Sequence, residues 1–121
     1  MAGRVDALIM GNTTVSRTGL RSRHRDEAGG LSGRPLAVIA RRALVDLRQA
    51  TGGAIPLIAA GGIDSAEEAY ARIRLGASLV QLYSAMVYHG PGLARRISGG
   101  LAELLRRDGF ANVAEAVGST D

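Results

Sequence analysis

The stretch AAGGIDSAEEAYARIRLGASLVQLYS, residues 59–84, restricts the fold more than any other part of the chain. It reads as strand, glycine turn, capped helix and strand. A strand–helix–strand crossover of this kind joins parallel strands, and parallel strands are normally buried beneath helices. The same unit is the part of a barrel that commonly grips a phosphate, and a complete barrel takes about 250 residues. The chain has 121, enough for one core but not for two.

The flanking sequence supplies the partners such a unit needs. Residues 6–10, DALIM, form a short apolar run ending at polar GNTT, as a buried strand does at its carboxyl end. Residues 15–34, VSRTGLRSRHRDEAGGLSGR, are charged, glycine-rich and without helical period. Loops this long are commonly lids or binding loops, with a disordered linker as the alternative. Glycines at 29, 30 and 33 imply backbone that turns tightly or approaches a ligand closely. Pro35 suits the first turn of a helix. Leu36, Ile39, Ala40, Ala43, Leu44 and Leu47 then repeat at helical spacing as its buried face, until Gly52 and Gly53 stop it.

IPLIAA is the next buried strand. Ser65 caps the following helix, with Glu68 three residues on to complete a capping box, and Glu67 and Glu68 suit the positive end of its dipole. Gly76 ends that helix, and SLVQLYS is the third strand. Residues 91–110 read as a last long helix, weakened at Gly99 and Gly100 by about 1 kcal/mol each. NVAEAVG makes a short closing turn. The order β–loop–α–β–α–β–α describes an α/β chain with parallel strands. Either an open three-layer sheet or a piece of an eight-stranded βα barrel fits it.

Composition excludes several function classes. There is no cysteine, so disulfides and thiolate metal sites are out, and the two histidines, His24 and His89, lie far apart in sequence. No metal is expected. All 15 basic residues are arginine, with a net charge of +4. The pairs Arg41-Arg42, Arg95-Arg96 and Arg106-Arg107 fall on expected helices, which reads as solvated helix faces rather than a nucleic-acid surface. No run approaches the length of a membrane span, and the first ten residues are too short and mixed for a signal peptide.

The strand ends carry the polar groups. Gly61-Gly62 before a helix, and Ser84 after the next strand, offer backbone N–H groups and a hydroxyl to a phosphate; two ordinary βα turns would look the same. Asn12 can donate and accept at once, which matches a cyclic imide or a carboxylate, with Thr13 and Thr14 beside it. A turn-forming asparagine bonded to its own backbone is the alternative.

NTTVSR, GGLSGRPL, IPLIAAGGIDSAEEAYARIRLGASLVQLYS, GPGL and LLRRDGF, in this order, resemble the carboxyl-terminal third of dihydroorotate dehydrogenase of the membrane-associated, quinone-reducing class. The resemblance covers residues 6–118. It implies a partial TIM (β/α)8 barrel: the last three βα units, strands 6–8, with residues 1–121 forming one carboxyl-terminal segment of an FMN-binding barrel. It implies FMN as cofactor and dihydroorotate oxidation to orotate in de novo pyrimidine biosynthesis. A hydride passes to the flavin, a base removes the neighbouring proton, and a quinone reoxidises the flavin. By the same resemblance Gly33, Gly62, Tyr83 and Ser84 contact the cofactor, chiefly its phosphate end, and Asn12 and Thr13 hold the pyrimidine. Gly11 stands where relatives often carry Thr, so a hydroxyl contact with flavin is lost and only a backbone contact is expected. The family's location is peripheral, on the cytoplasmic side of the cell membrane, and no anchor is expected within this chain.

The family's flavin-facing lysine, serine base, several substrate-binding asparagines and quinone-site helices match nothing in the sequence. Ser16 and Ser32 correspond to binding or loop positions, not to the base. The expectation is therefore no catalytic residue from this chain and no turnover by it alone. Expected partners are dihydroorotate or orotate, a quinone held through a missing N-terminal region, and the missing part of the barrel. A non-catalytic remnant, or a phosphate- or flavin-binding module, is the alternative. Strands cut from a barrel expose two sheet edges and the inner faces of LIM, LIAA and LVQL, which implies marginal stability and self-association.

Overall fold

A computed structural model describes residues 4–11 and 13–120. Three parallel strands lie in chain order across one sheet: β1 (Leu8–Met10), β2 (Leu57–Ala60) and β3 (Ala77–Gln81). Ile9, Ile58 and Leu79 share one row across it. The register slips beside Leu57 and leaves Ser78 as an extra residue on β3. Helix α1 (Ala37–Thr51) connects β1 to β2, and α2 (Ala66–Arg74) connects β2 to β3. After β3 come α3 (Ser84–His89), α4 (Leu93–Asp108) and α5 (Val113–Ala116).

The local signals explain most of these bounds. A 3-10 turn at Arg34–Leu36, with Pro35 inside it, leads into α1. Gly52 ends α1 in the left-handed conformation with its N–H on the Gln49 carbonyl. Leu36, Ala40 and Leu44 are buried as expected, but Ile39 is 46% exposed. At 100° per residue Ile39 sits on the rim of that stripe, farthest from Leu44, where the sheet no longer covers it. The third strand is shorter than SLVQLYS suggests: it stops at Gln81, and Ser84 opens a helix instead.

Leu57 and Ala59 face the helices, where Leu44, Ala69, Leu93 and Ile97 close over them. A second cluster joins Tyr70 and Ile73 of α2 to Leu105 of α4 and Ala116 of α5. The opposite sheet face is open, with Ile9 57% and Leu79 62% exposed. Helices on a single face make two layers, which sets aside the open three-layer sheet. The arrangement is that of part of a βα barrel with its helices outside.

Candidate functional site

The segments leaving the carboxyl ends of β1, β2 and β3 meet the segment before α1 around a cavity of about 920 Å³. Gly11, Thr13, Gly33, Gly62, Tyr83 and Ser84 all line it, so the residues expected at the cofactor and substrate share one hollow. Asn12 lies outside the described residues. Tyr83 is 86% exposed, so it stands at the open side of the cavity.

Two glycines are there because nothing larger fits. Gly62 has φ +73, and a Cβ on it would stand 2.6 Å from the backbone N and Cα of Ala37. Gly11 has φ +121, and a Cβ there would meet the Ala60 carbonyl. Gly11 therefore sits at a close backbone crossing with Ala60.

The long segment between β1 and α1 is tied down without regular structure. Thr14 and Leu31 exchange backbone hydrogen bonds of 3.0 and 2.7 Å. Arg17 donates to the carbonyls of Glu27, Gly29 and Thr14. Ser32 Oγ lies 2.7 Å from Ser84 Oγ, and Arg34 pairs with Asp64 at 2.9 Å. These contacts fix the segment to the exits of β2 and β3, as a binding loop requires and a disordered linker would not.

Behind the Gly61-Gly62 turn is a charge network that the sequence reading missed. Ser65 caps α2 as expected, accepting from the Glu68 N–H at 3.1 Å. The second half of the capping box does not form. The Glu68 carboxylate instead accepts from Arg41 on α1 and, at 2.7 Å, from Arg72 Nε. Burial pushes the Glu68 carboxyl up, but the hydrogen bonds and charges of Arg41 and Arg72 outweigh it and hold it below the usual carboxylate range. The Arg41 guanidinium is raised by its bond to Glu68. Glu68 and Arg72 are four residues apart on one helix, the spacing that could have revealed the pair.

A smaller hollow of about 430 Å³ lies between α2 and α4, lined by Arg41, Tyr70, Arg74, Arg107 and Thr120 among others. There Tyr70 donates to Asp108 at 2.6 Å. Arg107 and then Tyr70 hold the Asp108 carboxyl far below its usual range, while burial and Asp108 push the Tyr70 hydroxyl up. Among the described residues no group of three or more His, Cys, Asp or Glu could hold a metal. No described helix is long and apolar enough to cross a membrane.

Residues 2–105 match the family model of dihydroorotate dehydrogenase. The chain belongs to the dihydroorotate dehydrogenase family. It is 64% identical over 113 residues to the dihydroorotate dehydrogenase (quinone) of Sphingopyxis alaskensis, covering 93% of this chain and 32% of the relative. The corresponding protein of Erythrobacter litoralis is 60% identical over 93% of the chain and 33% of its own length. The chain thus spans about a third of the curated relatives it matches. Among solved structures, that of a ligand-free DHODH from Eimeria tenella superposes with a TM-score of 0.91 and 44% identity, covering 94% of this chain and 32% of that one. Another from the same organism, in complex with ferulenol, gives 0.90 and 45%, covering 93% of this chain and 30% of that one.

Proposed function

We propose that this chain supplies the last three βα units, strands 6–8, of an FMN-binding dihydroorotate dehydrogenase barrel of the quinone-dependent class. Gly33, Gly62, Tyr83 and Ser84 hold the phosphate end of FMN, Gly11 lies against the flavin through its backbone, and Asn12 and Thr13 hold dihydroorotate or orotate. The observation that carries this reading is the convergence of Gly11, Thr13, Gly33, Gly62, Tyr83 and Ser84 on one cavity, with glycine where a Cβ would strike backbone.

The residues suit the group. A cavity of about 920 Å³ lies within the range that ligand sites occupy, about 300–1,000 Å³. The loops after the last two strands are where barrels of this type commonly bind phosphate. When bound between these residues, FMN would supply the hydride acceptor for dihydroorotate and the link to a quinone. The residues of this chain bind and orient; none matches the family's base or its flavin-facing lysine. The quinone is met through a region that matches nothing in this sequence, on the cytoplasmic side of the cell membrane, where the whole enzyme is peripheral.

Titration of the 121-residue chain with FMN, followed by flavin fluorescence, should saturate. Gly62→Ala should weaken binding by at least about tenfold, a step of about 1.4 kcal/mol. A wild-type chain that does not bind FMN overturns the reading. Dihydroorotate added to the FMN complex should leave the flavin absorbance unchanged, and bleaching at catalytic rates would show that the base is within these residues after all.

A further inference from the structure

We propose that Arg72 is a positioning residue for the anionic end of the cavity: it fixes the Gly61–Gly62 peptide from behind and supplies the buried positive charge that makes that end prefer a phosphate-bearing ligand. This rests on the proposed phosphate site, and it concerns a residue that does not line the cavity.

Arg72 has no solvent exposure. Its Nη2 donates to the Gly61 carbonyl at 2.9 Å and to the Ala37 carbonyl at 3.1 Å. One nitrogen therefore joins the turn after β2 to the first residue of α1. Those are the two backbones that pass so closely that Gly62 can carry no Cβ. In a trans peptide the C=O and the following N–H point in opposite directions. With the Gly61 carbonyl held toward Arg72, the Gly62 N–H is turned away from it, and Gly61 and Gly62 line the cavity while Arg72 does not. The guanidinium thus sets the direction of a donor that it never touches.

Charge points the same way. Arg41 and Arg72 share the single Glu68 carboxylate, so the three side chains carry a net positive charge behind the turn. Arg72 Nη1 is buried with no partner among the described residues. Leaving Nη1 buried without a partner is costly, and an anion across the turn offsets part of that cost through its charge. Lysine would not replace it, because a single ammonium lacks the planar fork that reaches Glu68 and both carbonyls at once.

The experiment compares FMN with riboflavin, which lacks the phosphate, on the wild-type chain and on Arg72→Met, Arg72→Lys and Glu68→Gln, with thermal melts as a check on folding. Wild type should prefer FMN. Arg72→Met should lower the FMN-over-riboflavin ratio by about tenfold, with riboflavin affinity little changed, and Arg72→Lys should recover only part of it. Glu68→Gln breaks the same ion pair but leaves both cations, so it should raise the ratio. A purely structural ion pair would move FMN and riboflavin together and in the same direction for both residues, and that result overturns the proposal. If Arg72→Met does not fold, the sign of the Glu68→Gln change decides alone. A wild-type chain that binds no flavin, or binds both equally, overturns the phosphate site itself and this inference with it. A wild type that prefers FMN, with variants that keep the same ratio, overturns only the role of Arg72.

Discussion

Ser32 Oγ and Ser84 Oγ lie 2.7 Å apart across 52 positions of sequence. This hydroxyl pair joins the long arginine-rich segment to the exit of β3, beside the Arg34–Asp64 ion pair that joins it to the exit of β2. Replacing Ser32 by Ala should therefore loosen the segment without unfolding the sheet. One partly exposed hydrogen bond contributes about 0.5–1.5 kcal/mol, so tryptic cleavage after Arg21, Arg23 or Arg25 should quicken by roughly two- to tenfold. An unchanged cleavage rate would mean that the Thr14–Leu31 bridge, the Arg17 hydrogen bonds and the Arg34–Asp64 pair hold the segment without the hydroxyl pair.

Gly99 and Gly100 should respond to alanine with opposite signs. A Cβ on Gly99 meets nothing within 4 Å, so Gly99→Ala should stabilise the chain by the helix-propensity difference, about 0.5–1 kcal/mol. A Cβ on Gly100 would collide with the Cβ of Ala66, where α4 crosses the start of α2. Gly100→Ala should cost about 1–3 kcal/mol through overpacking. Urea unfolding of both variants reads the difference directly, and two stabilising substitutions would mean that the helices do not approach so closely.

Asp108 and Tyr70 predict a pH dependence on both sides of neutrality. The Asp108 carboxyl is depressed, so its contribution is present above the unfolded aspartate value, about 3.9, and fades as pH falls through the folded value. The Tyr70 hydroxyl is raised, so its contribution is complete below about 10 and fades as pH rises through the folded value. Thermal midpoints followed from pH 2 to 11 should fall at both ends. Tyr70→Phe should flatten the alkaline limb and make the acid limb shallower, since Asp108 keeps Arg107 but loses a donor. Asp108→Asn should flatten the acid limb more. An alkaline limb unaltered in Tyr70→Phe would remove Tyr70 from the account.

What could be read in the sequence depended on how far each contact reaches along the chain. The Ser65 cap and the Gly52 stop were legible because each lies within one helical turn of its partner. The strand-end glycines were legible because the parallel crossover forces strand ends to one side of the sheet. The destination of the Glu68 carboxylate was not, because Arg41 stands 27 positions away and local spacing favours the cap. The exposure of Ile39 was hidden in the same way, since periodicity locates an apolar stripe but not the width of the surface that covers it. The loop from 15 to 33 shows no period because side chains and one isolated bridge fix it, as with Arg17 at the Gly29 carbonyl, 2.6 Å away.

Ile9, Ile58 and Leu79 form an apolar row on the uncovered face of the sheet. Ile9 and Leu79 are more than half exposed, and β1 and β3 are both edge strands. Burying a large aliphatic side chain is worth about 1.5–3 kcal/mol, so this face should drive the isolated chain to self-associate. Ile9→Thr with Leu79→Thr removes apolar area and places β-branched residues that suit a strand at both positions. The double variant should weaken association by at least about tenfold and leave the helix-side core of Leu44, Leu57 and Ala59 untouched. Sedimentation velocity over a concentration series measures this. If the wild type stays monomeric at high concentration, the open face is not adhesive; if the variant associates as strongly as the wild type, the contact lies along the strand edges, where backbone groups rather than side chains carry it.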